Sequence, residues 1–314
     1  MSNLLVVFGA TGNQGLSVAT AALTDPALAS QYKVRAVTRD PSKPTAQALQ
    51  SQGAEVVRGD FDNEASLHAA LQDAHTVFLM TNTTVFDEQG AGLEIRHGKT
   101  VADAAVAAGA RRLIYSTAYP AAELSGGKFG VPHFDAKVAV ERYIRGLPVK
   151  SVFVAPGSFM QNFMTMTVPR PAGDGGGSDD LVVTGIQAPE TELPWIDVEA
   201  DTGKFVARIL AEPERFEGAV FAAANQVCSY EETMRVMSKV TGRSVRYVQI
   251  PEETFCGFFP PAAAEAFVSM FRYYEEFGYY GPGMKGDVEW ARENARGTLT
   301  TLEEYFGTKL KLAG

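Results

Sequence analysis

Near the amino terminus, Leu4-Leu5-Val6-Val7-Phe8-Gly9-Ala10-Thr11-Gly12-Asn13-Gln14-Gly15 runs an apolar strand pattern into glycines spaced Gly-x-x-Gly-x-x-Gly and then into a helical stretch. Gly9 permits a tight turn out of the strand, Gly12 removes a Cβ that would block a pyrophosphate, and Gly15 lets the helix pack closely. Free N–H groups at the start of such a helix attract anions, with about half a positive charge from the helix dipole behind them. Glycine triplets also occur in ordinary strand-to-helix turns. The strand before and the helix after supply the context a dinucleotide site requires, so Gly9, Thr11, Gly12, Asn13, Gln14 and Gly15 are expected at a cofactor.

The first half repeats that rhythm. Short β-branched runs at 4–8, 34–38, 55–57, 76–80, 113–116 and 151–154 alternate with helical stretches at 16–23, 45–50, 64–71, 92–107 and 134–145. This alternation predicts an α/β fold, a doubly wound parallel Rossmann sheet over residues 1–156. Beyond Pro156 the rhythm changes, with helices expected at 198–210, 230–240 and 262–277 and strands at 219–221 and 245–250. Residues 157–314 are expected to form a smaller α/β lobe over the carboxyl edge of the strands, partly interleaved with the first. Within it the Pro- and Gly-rich run from Pro169 to Asp180 predicts a mobile loop, unable to hold a helix or a central strand.

Composition narrows the partners. Lys and Arg total 28 against 37 Asp and Glu, a net charge of -9, which gives no general pull toward nucleic acid or an anionic membrane. Cys228 and Cys256 have neither metal-ligand nor redox spacing and read as two reduced thiols, which suits the cytoplasm, with the nucleus also open. No uninterrupted apolar stretch is long enough to span a membrane, and the apolar start lacks a basic leader.

The residue just beyond the second strand selects the nucleotide: a carboxylate accepts from a ribose 2'-hydroxyl, whereas a guanidinium pairs with a 2'-phosphate. The order here is Val37-Thr38-Arg39-Asp40-Pro41-Ser42-Lys43. Arg39 and Lys43 predict a pocket for a 2'-phosphate, hence NADP(H) rather than NAD(H). Asp40 is the counter-signal, unless it caps the next helix with Pro41 at the first helical position. After the third strand, Arg58-Gly59-Asp60-Phe61-Asp62 has two readings. Asp60 and Phe61 can meet an adenine, or the same letters make a turn with Asp62 as helix cap. Thr81 and Asn82, ending the fourth strand, can line the pyrophosphate and nicotinamide ribose or form an ordinary polar loop. Phe159 and Asn162, after the sixth strand, stand where they can close over a nicotinamide.

Short-chain dehydrogenases use a Tyr-x-x-x-Lys pair, the tyrosine moving the proton while the lysine holds the ribose and lowers the tyrosine pKa. This chain has His133-Phe134-Asp135-Ala136-Lys137 instead. Spacing of four puts His133 and Lys137 on one helical face, so the geometry survives and the tyrosine does not. Histidine can donate a proton near neutral pH, which makes His133 and Lys137 the catalytic candidates. In the other reading Lys137 only binds ribose and His133 fills space. Ser116 and Thr117 can steady a substrate carbonyl or cap their strand. The aromatic run from Phe258 to Tyr280 places Phe267, Phe271 and Tyr274 on a core stripe, and its surplus can line a cleft or meet a partner.

Together, Val6-Val7-Phe8-Gly9-Ala10-Thr11-Gly12-Asn13-Gln14-Gly15, Val34-Arg35-Ala36-Val37-Thr38-Arg39-Asp40-Pro41, Gly53-Ala54-Glu55-Val56-Val57-Arg58-Gly59-Asp60, His133-Phe134-Asp135-Ala136-Lys137 and Met270-Phe271-Arg272-Tyr273-Tyr274 resemble the NmrA-like family of atypical short-chain dehydrogenases. The His133 to Lys137 string is similar to a branch in which the catalytic tyrosine is replaced. The resemblance implies a Rossmann fold and a bound dinucleotide. It also implies one of two behaviours: redox-responsive regulation through protein partners without evident dehydrogenase activity, or NADPH-dependent reduction of a conjugated carbonyl, quinone or imine. A partner or substrate surface on the second lobe, and a homodimer that responds to cofactor, are implied as well.

Overall fold

The computed structural model describes residues 2–83, 89–172 and 180–310. Its strands are β1 (Asn3–Val7), β2 (Tyr32–Thr38), β3 (Glu55–Arg58), β4 (Thr76–Leu79), β5 (Arg112–Ser116), β6 (Lys150–Pro156), β7 (Ser158–Phe159), β8 (Arg170–Pro171), β9 (Leu181–Gly185), β10 (Glu192–Ile196), β11 (Val220–Ala223), β12 (Gln226–Ser229) and β13 (Val245–Gln249). The helices are α1 (Asn13–Thr24), α2 (Pro26–Gln31), α3 (Pro44–Ser51), α4 (Glu64–Leu71), α5 (Gly90–Ala107), α6 (Ala121–Leu124), α7 (Pro132–Arg145), α8 (Val198–Ala211), α9 (Tyr230–Thr241), α10 (Glu252–Cys256), α11 (Pro261–Phe277), α12 (Met284–Glu293) and α13 (Leu302–Thr308).

Seven parallel strands form the main sheet in the order β11-β6-β5-β4-β1-β2-β3. The order reverses between β1 and β4, so the crevice of a doubly wound sheet opens at the carboxyl ends of these two strands. Both faces are covered, which is why Leu5, Val6, Val7, Val77, Phe78 and Leu79 are all buried and β1 and β4 do not alternate in polarity. One face packs on α4, α5 and α7 through Leu67, Val101, Ala105 and Val140. The other packs on α1 and α8 through Val18, Ala22, Phe205 and Ile209.

Two elements from beyond residue 156 belong to this body. β11 adds the outer strand beside β6, with Phe221 opposite Val154. Helix α8 lies so close to α1 that a Cβ on Gly203 would stand 2.2 Å from the Ser17 carbonyl oxygen. The Gly203 N–H donates to Ser17 Oγ at 2.9 Å.

The remainder builds two three-stranded sheets, β12-β10-β7 and β13-β9-β8, around an aromatic core that includes Phe163, Trp195, Tyr230, Phe267, Tyr274 and Phe306. Of the Pro169 to Asp180 run, Arg170 and Pro171 form an edge strand antiparallel to β9, the position where proline is tolerated. Residues 173–179 of that run lie outside the described residues. No helix among the described residues is long and apolar enough to cross a membrane.

Candidate functional site

The carboxyl edge of the main sheet brings most of the expected residues to one crevice. Gly9 turns the chain out of β1 with φ +66°, where only glycine is unstrained, and a Cβ there would also strike Met80 Sδ at 2.6 Å. Gly12 is the cap residue of α1 and offers no side chain to the helix start. The first turn of α1 therefore keeps its N–H groups for an outside acceptor, and it carries no acidic residue to repel one. Gly15 sits flush on the turn: its Cβ would lie 2.3 Å from the Gly9 carbonyl oxygen. Thr11 Oγ1 meets Thr38 Oγ1 at 3.2 Å, tying the loop to the end of β2, while Asn13 is exposed beside it. These features fit a pyrophosphate.

Beyond β2, Arg39 and Lys43 are exposed at the same edge, and no carboxylate among the described residues forms an ion pair with either. Asp40 is not the cap of the following helix. Its Oδ1 accepts from the Ser42 N–H at 2.9 Å and from the Ser42 hydroxyl, and α3 starts later, with Lys43 at the cap and Pro44 at the first position. A local Asx turn took the carboxylate first. Ser42 holds the Asp40 carboxyl below its usual range, and the charges of Lys43 and Arg58 add to this.

Asp62 is not a cap either. Asn63 caps α4 by accepting from the Ser66 N–H at 2.9 Å, and Asp62 pairs with His97 at 2.8 Å. Asp60 Oδ1 accepts from the Asp62 N–H at 3.2 Å, and half-buried Phe61 packs between Phe8 and His97 at ring separations of 5.8 and 5.4 Å. Both are thus shaped by the turn. Asn82 is exposed at the end of β4, whereas Phe159 on β7 and Asn162 in the 3-10 turn Met160–Met164 are half-buried. The Asn162 carbonyl accepts from the N–H groups of Thr165, Met166 and Thr167.

The part of the crevice beyond β4, beside α7, holds a feature that the motifs do not announce. Lys137 Nζ lies 2.5 Å from Glu94 Oε1, and the Glu94 side chain is 1% exposed. Thr81 Oγ1 donates to the same carboxylate oxygen at 2.6 Å and meets the Tyr115 hydroxyl at 3.2 Å. Lys137 also donates to Thr81 O and Oγ1, each at 3.3 Å. A buried chain Tyr115–Thr81–Glu94–Lys137 therefore joins β5, β4, α5 and α7. The close α5–α7 approach that allows it falls at Gly98, where a Cβ would stand 2.6 Å from both Val140 methyls. The available sequence signal was a single acid on the apolar stripe of α5, shared with Gly98, Val101, Ala102 and Ala105.

His133 occupies the tyrosine's helical position but not its chemistry. Its Nδ1 is buried with no hydrogen-bond partner among the described residues, and burial, reinforced by the Lys137 ammonium one turn away, pushes its pKa down to about 4. At neutral pH it is an uncharged imidazole, which corrects the expectation of a proton held ready near pH 7. Other hydroxyls are already engaged. Ser116 Oγ donates to Gln14 Oε1 at 2.7 Å, Thr117 Oγ1 to Glu141 at 2.7 Å, and Tyr119 to Asp287 at 3.1 Å, with burial pushing the Tyr119 phenol up.

The depressed His133 value fixes the sign of a pH effect. Between pH 4 and 6.5 the unfolded chain binds the His133 proton and the folded chain does not, so stability is full above 6.5 and falls as pH drops toward 4. The His133 contribution lost at pH 5 is about 2 kcal/mol. Urea denaturation at pH 5 and 7.5 is expected to show that loss diminished in His133→Phe; equal losses in both proteins would contradict it.

The comparisons agree with this architecture. A family model described as the NmrA-like family matches residues 1–306. The chain is similar to the NmrA-like family domain-containing oxidoreductase FrzB of Cladobotryum sp, 31% identical over 272 residues that cover 79% of this chain and 76% of the relative. It is similar to an NmrA-like family domain-containing protein of Dictyostelium discoideum, 29% identical, covering 98% of this chain and 97% of that one. Among solved structures it is similar to NmrA, a negative transcriptional regulator, in complex with NADP, at 26% identity and a TM-score of 0.80 over 98% of this chain and 95% of that one. NmrA has also been solved with NAD. A Citrobacter sp. triphenylmethane reductase complexed with NADP(H), 20% identical with a TM-score of 0.75 over 99% of this chain and 100% of that one, shares the fold.

Proposed function

Because the chain belongs to the NmrA-like family, whose model spans residues 1–306, we propose that it binds NADP(H) in the crevice between β1 and β4 and acts as a sensor of that cofactor. The uncapped start of α1 receives the pyrophosphate, Arg39 and Lys43 the 2'-phosphate, and Lys137 the nicotinamide ribose. The observation that carries the regulatory reading is the pairing of Lys137 with buried Glu94, next to a histidine that is neutral at pH 7. The Lys137 ammonium, held by Glu94, helps keep the adjacent imidazole unprotonated at neutral pH, and no tyrosine stands four residues before it to use a lowered pKa. Cofactor occupancy is then read by a protein partner on the second lobe.

A second reading, an NADPH-dependent reductase of a conjugated carbonyl, quinone or imine, is favoured by relatives such as FrzB that are named oxidoreductases. The bound cofactor would supply hydride, and the chain would hold it in place and exclude water. One experiment separates the two. Purified protein with NADPH is followed for cofactor oxidation across a panel of quinones, enones and imines, and its limited proteolysis is compared with and without NADPH. No oxidation above the protein-free rate, with a cofactor-dependent cleavage pattern, is the expected result. Turnover that disappears in Lys137→Ala would overturn the sensor and establish the reductase.

A further inference from the structure

The corner where β2 and β3 end carries more positive charge than the Arg39–Lys43 motif supplies. Arg58, the last residue of β3, pairs in register with Thr38, the last residue of β2. Adjacent strands lie ~5 Å apart, so Arg58 leaves the sheet beside the backbone from which Arg39 projects. All three cations are exposed, and no carboxylate among the described residues forms an ion pair with Arg58. The contrast with Arg35, on the same pair of strands, is direct: its guanidinium is engaged by Glu55 at 2.8 Å and by the carbonyls of Ala70 and Gln72. Among the described residues Arg58 has no such partner.

Asp40, the acid beside Arg39, is turned into Ser42, and the charges of Lys43 and Arg58 both reach it. The corner thus holds three cations, while Asp40 and Asp60, two residues past Arg58, each accept within their own turns. Like charges gathered together repel, Asp40 offsets only part of this, and an anion placed between them removes more of the cost. A phosphate monoester offers three oxygens, enough for two guanidinium forks and an ammonium together.

We propose that Arg58 is a third determinant for the cofactor 2'-phosphate, acting with Arg39 and Lys43 to select NADP(H) over NAD(H). The inference rests on the reading that this crevice binds NADP(H). Arg58 contacts the phosphate from the β3 side and Arg39 from the β2 side, so the group is gripped across the strand pair.

The test is titration of NADPH and NADH into wild type, Arg39→Ala, Arg58→Ala and Arg58→Lys. Arg39→Ala is expected to weaken NADPH about 10- to 150-fold, the loss of charge-assisted hydrogen bonds. Arg58→Ala is expected to weaken it about five- to tenfold and Arg58→Lys by less, with NADH affinity unchanged in every variant. The NADH control also reports whether each variant is folded. If Arg58→Ala leaves NADPH affinity unchanged, or weakens NADPH and NADH alike, while Arg39→Ala discriminates as expected, the role of Arg58 is overturned and the cofactor reading stands. A wild type without preference for NADPH over NADH would overturn the cofactor reading, and this inference with it.

Discussion

Alanine at Glu94 is expected to destabilise the protein by about 3 to 5 kcal/mol, because it leaves the Lys137 ammonium, 15% exposed, without its counter-charge in a packed interior. The same substitution removes the carboxylate that accepts from the Thr81 hydroxyl, so two donors lose their charged acceptor at once and keep only neutral partners. Glu94→Gln keeps the shape and an acceptor but not the charge, and should fall between Ala and wild type. The pair Glu94→Gln and Lys137→Met should be less destabilised than the sum of the single changes, since neither then leaves a lone charge. Urea denaturation of the four variants measures this. A Glu94→Ala protein within 1 kcal/mol of wild type would show that the ion pair is replaced by solvent at little cost.

The second large effect belongs to Gly15. A Cβ at this position would lie 2.3 Å from the Gly9 carbonyl oxygen, 2.5 Å from its carbon and 2.8 Å from the Ala10 nitrogen, all backbone atoms. No rotamer change relieves such contacts, so α1 must move off the turn and its first N–H groups lose their aim at a phosphate. Gly15→Ala is expected to abolish measurable NADPH binding at millimolar cofactor and to cost about 1 to 3 kcal/mol of stability through overpacking. Gly286, inside α12 with open space around its Cβ position, supplies the matched control. Gly286→Ala should leave binding intact and stabilise α12 by up to about 1 kcal/mol. Retained NADPH affinity in Gly15→Ala would mean that the cradle tolerates a displaced helix.

How much of this was legible in the letters depended on whether the governing interaction was local. The β1 to α1 turn could be read because Gly9 and Gly15 each answer a nearby backbone demand that only glycine meets. The parallel sheet was readable from its short apolar runs. Asp40 and Asp62 misled because an aspartate near a helix start has other donors within reach: Ser42 took the Asp40 carboxylate, His97 took that of Asp62, and Asn63 capped α4 instead. The Glu94–Lys137 pair, separated by 43 positions, depends on α5 and α7 touching at Gly98. Nothing in the His133 string discloses its burial, and that burial decides its charge. Ser116, at the carboxyl edge, is engaged by Gln14 across 102 positions, a pairing that depends on the sheet order, which sets β5 one strand away from β1 and brings its end to the start of α1.

The seam between α1 and α8 bears on the order of synthesis. Ser17 and Gly203 stand 186 positions apart, yet their backbones touch, and β6 has an open flank until β11 arrives. With only residues 1–156 in place, α1 lacks α8 against the face that carries Ser17, and the sheet ends one strand short. Residues of β1 and α1 are thus made well before the elements that lock them, and synthesis must pass α8 and β11 before α1 can settle.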